Sequence, residues 1–151
     1  MTPRKQLEKM MMRYEPRVAA VAKEALGKMR KLAAGAVEMV YDNYNALAIG
    51  FMPGDRPSEA VFSIVLYPRY VTLFFLQGKG LPDPAQRLEG NANRVRRIRL
   101  ESAGMLDEPE ILELINVALH RAKVPIDPKQ KRRLVIQSIS KKQRARRPSK
   151  K

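Results

Sequence analysis

The chain has 151 residues, of which 44% are hydrophobic and 30% charged, and it has no cysteine. These values are typical of one globular domain, and the lack of cysteine excludes disulfide scaffolds, thiolate metal sites and cysteine nucleophiles. The formal net charge is +15, and eleven of the 30 Lys and Arg residues lie in residues 128–151, which contain no acidic residue.

The first two predicted elements are helices. Leu7, Met10, Met11 and Tyr14 follow a helical spacing, and Pro16 stands where a second helix begins. Apolar residues then recur at helical spacing until Gly35, which is a natural helix end. We therefore expect a long N-terminal helix whose apolar stripe packs on a sheet.

After Gly35 the hydrophobic period changes to that of strands. The predicted strands cover residues 37–42, 46–51, 60–67, 70–76 and 94–100, and a single helical turn is expected at residues 85–88. A last helix is predicted to begin at Asp107, which forms a capping pair with Glu110. The residues expected to be buried on that helix are Leu112, Ile115, Leu119 and Ala122.

These elements predict an α+β fold with an antiparallel sheet flanked by an N-terminal and a C-terminal helix. Residues 1–127 form the predicted domain, and residues 128–151 form a basic tail with one short apolar segment around Leu134 to Ile139. That segment is either an edge strand or a segment that orders on a partner. No apolar run approaches the roughly 18 residues of a membrane span, so we expect a cytoplasmic protein without a membrane partner.

Several short motifs occur in an order that resembles the YdhG-like family, a domain family of unknown function. They include Val40-Tyr41-Asp42-Asn43-Tyr44-Asn45-Ala46-Leu47, Leu66-Tyr67-Pro68-Arg69, Leu73-Phe74-Phe75-Leu76-Gln77-Gly78 and Ile98-Arg99-Leu100. The resemblance covers nearly the whole chain. It implies the helix-flanked antiparallel sheet described above.

The resemblance also implies one functional alternative, because some members of the wider group are regarded as frataxin-like iron chaperones. Iron binding of that kind needs an acidic surface with oxygen ligands. Here residues 1–34 carry nine basic residues against three acidic ones, and the family's Gly-x-Gly-Lys corner is replaced by Gly90-Asn91-Ala92-Asn93-Arg94. The chain therefore departs from the family at the two places where a metal or an anion would be held.

The first candidate site consists of polar and aromatic residues at predicted strand ends, where they would converge on a ligand pocket. Its members are Tyr41, Asp42, Tyr44, Asn45, Tyr67, Arg69 and Gln77. The alternative is a structural corner in which Asp42 and Asn45 shape turns and Arg69 pairs with Asp42.

The second candidate site is an arginine-rich strand with Arg94, Arg96, Arg97 and Arg99, which suits phosphate or carboxylate. The alternative is the solvated face of an edge strand. The basic tail is a third candidate, for non-specific nucleic acid, although it has no aromatic residue on which bases would stack.

No catalytic or metal-binding pattern stands out in the sequence. His120 is the only histidine, and it lies near the end of the last predicted helix, where its charge complements the helix dipole. We therefore expect a binding protein without cofactor or enzymatic activity, whose ligand is small or anionic. The alternatives are a nucleic-acid-associated protein, acting through the basic tail and the arginine-rich strand, and an iron chaperone.

Overall fold

The computed structural model describes residues 1–148. They form an α+β fold with three α-helices and one six-stranded mixed sheet. The helices are α1 (Pro3–Met12), α2 (Pro16–Leu32) and α3 (Pro109–Arg121). The strands are β1 (Val37–Asp42), β2 (Leu47–Met52), β3 (Phe62–Leu66), β4 (Val71–Phe75), β5 (Arg96–Leu100) and β6 (Arg133–Ile139).

The N-terminal helices follow the sequence prediction closely. Thr2 caps α1 by accepting a hydrogen bond from the backbone N–H of Lys5 at 3.2 Å, and Pro16 occupies the first turn of α2. The apolar stripe of α2 is buried against β3 and β4. Removal of that stripe from water is the main reason why this helix is stable in the fold.

The strands lie in the order β5-β4-β3-β2-β1-β6, and the first five are antiparallel to their neighbours. Strand β6 is parallel to β1, with Val37 opposite Arg133. The prediction of a wholly antiparallel sheet was therefore wrong. The reason is the connection after α3, which returns the chain to the end of the sheet where β1 begins, so that β6 runs in the same direction.

One glutamine anchors that connection. The side-chain amide of Gln130 donates to the carbonyl oxygens of Gly35, at 2.7 Å, and Pro53, at 3.1 Å. The apolar segment of the predicted tail is thus an edge strand, one of the two alternatives drawn from the sequence.

Two further local predictions were wrong. Helix α3 begins at Pro109, after a short 3₁₀ turn, and the carboxylate of Asp107 accepts from Lys28 at 2.7 Å instead of capping the helix. Residues 85–88 form no helical turn, and Gln86 has a φ of 54°.

The buried side of α3 also differs from the predicted stripe. The helix buries Ile111, Leu114, Ile115 and Ala118, while Leu112 and Leu119 are only half-buried. Of the predicted stripe, Ile115 and Ala122 are buried. The buried residues Ile111, Leu114, Ile115 and Ala118 follow the i, i+3, i+4, i+7 spacing of one helical face, which is turned by about one residue from the predicted stripe.

All three helices pack on one face of the sheet and share its main hydrophobic core. The opposite face carries a smaller cluster formed by Val37, Met39, Met52 and Ala60, to which no helix of residues 1–148 contributes. We call this second face of the sheet, opposite the three helices, the open face. No helix within residues 1–148 is long and apolar enough to cross a membrane.

Candidate functional site

The first predicted pocket is filled by the C-terminal segment, residues 140–148. The backbone carbonyl of Tyr44 accepts hydrogen bonds from the backbone N–H of Arg144, at 3.0 Å, and from Arg146, at 3.2 Å. The side-chain oxygen of Asn45 accepts from Arg144 at 3.4 Å. The corner is therefore a packed joint between the β1–β2 turn and the end of the chain.

Asp42 is the centre of this joint. Its carboxylate lies 2.8 Å from Arg146 and 3.9 Å from Arg13, while its backbone carbonyl accepts from Gln143 at 3.1 Å. The alternative in which Arg69 pairs with Asp42 was therefore wrong, because the partner of Asp42 is Arg146. An isolated buried carboxylate is costly, so the C-terminal arginine is needed to compensate it.

The hydroxyl groups of Tyr14 and Tyr41 are buried and have no hydrogen-bond partner within residues 1–148. Burial raises the pKa of Tyr14 to about 12, and the nearby Arg146 guanidinium, 5.7 Å from the ring, opposes part of that rise. Burial also raises the pKa of Tyr41, which lies on the opposite face of β1 from Asp42. Both phenols therefore stay neutral, and neither is available as a base.

The remaining members of the first set are separated. Tyr67 and Arg69 lie near the β3–β4 turn, whereas Gln77 follows β4 at the opposite end of the sheet. Gln77 donates to the carbonyl of Ala60 at 3.1 Å and accepts from the backbone N–H of Lys123 at 3.3 Å. The seven predicted residues thus do not form one site.

The four arginine side chains of the second candidate site also lie in different places. Arg97 and Arg99 are exposed on the open face, while Ile98 and Leu100 are buried, as the alternation predicted. Arg96 points to the other side and donates to the carbonyls of Ala92 and Val95 at 2.6 and 2.8 Å. Arg94 lies outside β5, in a cleft at the end of the sheet.

A stack of flat side chains lies beside Arg97 on the open face. The Tyr67 and Tyr70 rings have centroids 4.9 Å apart, and the Arg99 guanidinium lies 3.9 Å from the centroid of Tyr70. Burial and the neighbouring Tyr70 raise the pKa of Tyr67, while Arg97 lowers it. Tyr70 was missed in the sequence, although its spacing from Tyr67 across the two-residue turn was a usable signal.

The basic end cleft is a cavity of about 470 Å³ at the end of the sheet where β4 ends and β5 begins. Its charged lining residues are Lys79, Arg94, Arg121, Lys123 and Glu59. None of the four cations forms a salt bridge among the residues that the structure describes. The cleft therefore concentrates uncompensated positive charge around one space.

Backbone and amide contacts hold the walls of the basic end cleft. Arg121 donates to the carbonyl of Gly80 at 3.1 Å, and the backbone N–H of Lys79 donates to the carbonyl of Arg94 at 2.9 Å. Gln77 joins the segment before β3 to the segment after α3 through the two bonds described above. Sequence reasoning found Gln77 and Arg94 but missed Lys79, Arg121 and Lys123, because loop and helix-end cations have no characteristic spacing.

No family model, curated protein or solved structure matches this chain. Within residues 1–148, no group of three or more His, Asp and Glu side chains is placed to hold a metal ion. The evidence for function is therefore the chemistry of the side chains themselves. Their densest cluster is the group of four Lys and Arg residues that line the basic end cleft.

Proposed function

We propose that the protein binds a small, multiply charged anion, such as a phosphorylated or polycarboxylate compound, in the basic end cleft. The observation that carries this proposal is the convergence of Lys79, Arg94, Arg121 and Lys123 on one cavity that has a single carboxylate, Glu59. A volume of about 470 Å³ is within the usual range of small-molecule sites.

The neutral side chains of the cleft also support anion binding. Ser58 and Asn93 line the cavity and offer hydroxyl and amide donors beside the four cations. Hydrogen bonds from charged donors to phosphate or carboxylate oxygens are stronger than neutral ones. Because the walls are already joined through Gln77 and Arg121, little ordering is needed on binding.

Binding without catalysis is part of the proposal, as is membership of the YdhG-like family, which the order of sequence motifs supports. The tail hypothesis and the iron-chaperone hypothesis stay predictions. Several basic side chains of the tail are used within the fold, since Arg146 pairs with Asp42 and Arg133 lies 2.7 Å from Asp55. Within residues 1–148, no group of three or more acidic or histidine side chains is placed to hold iron.

The proposal is tested by thermal unfolding in the presence of inorganic pyrophosphate, compared with potassium chloride at equal ionic strength. A ligand at about 100 times its Kd adds about 2.7 kcal/mol to the free energy of unfolding. Because each kcal/mol shifts Tm by about 2–4 °C for a domain of this size, we expect pyrophosphate to raise Tm by about 5 °C or more.

The decisive variant is Arg94→Gln combined with Lys123→Gln, which removes two positive charges from the cleft. Its matched control is Lys141→Gln combined with Lys142→Gln, an exposed pair at the opposite end of the sheet. The cleft variant is expected to lose the pyrophosphate-dependent rise in Tm and the control to keep it. Equal rises in both variants would show that the ion acts through general charge screening and would refute the proposal.

A further inference from the structure

The open face combines half-buried aromatic rings with exposed arginine side chains. Along the β3–β4–β5 part of the sheet it presents Tyr67 and Tyr70 in one row, and Phe74 opposite Arg97 two rows further along. Phe74 is half-buried, and a shallow cavity of about 350 Å³ lies between these side chains. Aromatic side chains grouped on one surface and bordered by polar residues are a feature of interaction sites.

Arginine side chains surround this patch, and few carboxylates lie close enough to neutralise their charge. Arg99 forms no salt bridge within residues 1–148, and Arg97 has only Glu89, at 4.0 Å. Arg69 at the β3–β4 turn is exposed and forms no salt bridge within residues 1–148. Three arginines, Arg17, Arg69 and Arg99, and one carboxylate, Glu101, line the next cavity along the sheet edge. The patch is therefore apolar and aromatic at its centre and positively charged along its border.

We propose that the open face binds single-stranded nucleic acid, with unpaired bases stacking on the Tyr67–Tyr70 pair and phosphates contacting Arg97, Arg99 and Arg69. Base–aromatic stacking combined with a cationic surface is the general mode of single-strand recognition, and a sheet suits it because side chains on one face present their rings to successive bases. Charge complementarity favours a polyanion over an uncharged polymer. The bases of a duplex are already stacked inside it and are not available to these rings.

The geometry gives the aromatic pair a fixed shape. The Arg99 guanidinium lies 3.9 Å from the Tyr70 ring centroid, which holds Tyr70 from one side, and the rings of Tyr67 and Tyr70 are inclined by 33°. Preorganised rings lose little conformational entropy when a base stacks on them. Stacking therefore takes place on the body of the protein, whereas the sequence alone predicted nucleic-acid binding through the charge of the tail and the arginine strand, without a stacking residue.

The proposal is tested by fluorescence anisotropy with a labelled, mixed-sequence single strand of about 12 nucleotides, a length within the usual site sizes. We expect binding that weakens strongly between about 50 and about 200 mM salt. An unlabelled single strand should displace the probe, whereas a duplex of the same sequence should compete at least about tenfold less well. Absence of binding at low salt, or equal competition by the duplex, would overturn the proposal.

Substitutions separate stacking from charge. Tyr67→Ala should weaken binding by about 5- to 150-fold, while Tyr67→Phe, which keeps the ring, should bind as the unmodified protein does. Arg99→Gln should weaken binding and reduce the salt slope by about 1. Circular dichroism of each variant checks that the sheet is intact, and Arg99→Gln, which alters an exposed side chain, keeps the test valid if the Ala variant is poorly folded.

Two control variants distinguish binding on the open face from binding by the tail or by the basic end cleft. Lys141→Gln combined with Lys142→Gln removes tail charge, and Arg94→Gln combined with Lys123→Gln removes charge from the basic end cleft. Both are expected to change the affinity for the single strand less than Arg99→Gln does. A larger loss in the tail variant, or equal affinities for Tyr67→Ala and Tyr67→Phe, would contradict binding on the open face while leaving the cleft proposal unaffected.

Discussion

The guanidinium of Arg146 lies 2.8 Å from the carboxylate of Asp42, although the two residues are 104 positions apart in the sequence. Only 2% of the Arg146 side chain and 4% of the Asp42 side chain are exposed. Arg146 also donates to the carbonyls of Asn43 and Tyr44. The end of the described chain is thereby joined to the β1–β2 turn through a buried ion pair.

Removing Arg146 should therefore destabilise the fold strongly. Arg146→Ala leaves the Asp42 carboxylate buried with only Arg13 nearby, at 3.9 Å, and the loss of one partner from a buried pair costs about 3–5 kcal/mol. Urea unfolding measures this change. Arg144→Ala is the control, because that side chain is exposed and its loss should cost within about 0.5 kcal/mol.

The coupling between the two residues is measured with Asp42→Asn, Arg146→Met and the double variant. Because the pair is in direct contact, the double variant should lose less stability than the two single losses added together. Additive losses, or an Arg146→Ala variant as stable as Arg144→Ala, would show that the ion pair contributes nothing to the fold.

Deletion of residues 128–151 should expose the edge of β1. This truncation removes β6, together with Gln130 and Arg146, and leaves an unpaired strand edge flanked by apolar side chains. Unpaired edges promote association between molecules, so we expect a lower urea midpoint and concentration-dependent oligomers in light scattering. The Lys141→Gln and Lys142→Gln variant, which removes charge but keeps β6, should stay unchanged in both measurements. A monomeric truncated chain with an unaltered midpoint would mean that β6 is dispensable.

Two glycines allow a matched comparison of backbone effects. Gly35 has a φ of +84°, and a Cβ placed there would lie 2.0 Å from the carbonyl oxygen of Asp127. Gly35→Ala should cost about 3 kcal/mol or more, because the left-handed conformation alone costs about 1–3 kcal/mol and the clash adds to it. Gly27 lies inside α2 with nothing within 4 Å of such a Cβ, so Gly27→Ala should stabilise the protein by about 0.5–1 kcal/mol. Chemical denaturation compares the two, and equal effects of the same sign would contradict the close approach of residue 127 to Gly35.

Alkaline pH should destabilise the protein through Tyr14. Its pKa is raised from 10.0 to about 12, chiefly by burial, so the folded state favours the neutral phenol. The resulting stabilisation is complete below pH 10 and is lost as the pH rises through about 12. Its buried hydroxyl has no hydrogen-bond partner within residues 1–148, and the positive charge of Arg146 opposes the pKa rise in part.

The check is the urea midpoint of the unmodified protein and of Tyr14→Phe across that pH range. Other groups titrate in both proteins, so the difference between them isolates Tyr14. Tyr14→Phe should be about as stable at neutral pH and should lose less stability above pH 10. Parallel losses in the two proteins would assign the alkaline transition to other groups.

The first candidate site was predicted incorrectly because the relative directions of its strands could not be seen in the sequence. Tyr67 and Gln77 each follow the C-terminal end of a strand. Because β3 and β4 are antiparallel, these two strand ends lie at opposite ends of the sheet. The alternation of exposed Arg97 and Arg99 with buried Ile98 and Leu100 was predicted correctly, because it depends only on the period of a strand. Arg94 and Gln77, from separate predicted sets, lie together in the basic end cleft.

The sequence by itself determined the α+β class, the buried stripe of α2, the strand segments and the uneven charge, because each depends on local spacing or composition. It did not determine that Arg146 compensates Asp42, that β6 pairs with β1, or that Tyr67, Tyr70 and Arg99 stack on an open face. Those features depend on contacts between residues distant in the chain, and such contacts are selected by the packing of the whole sheet. The tertiary structure therefore decided where the positive charge is neutralised and where it remains available for a ligand.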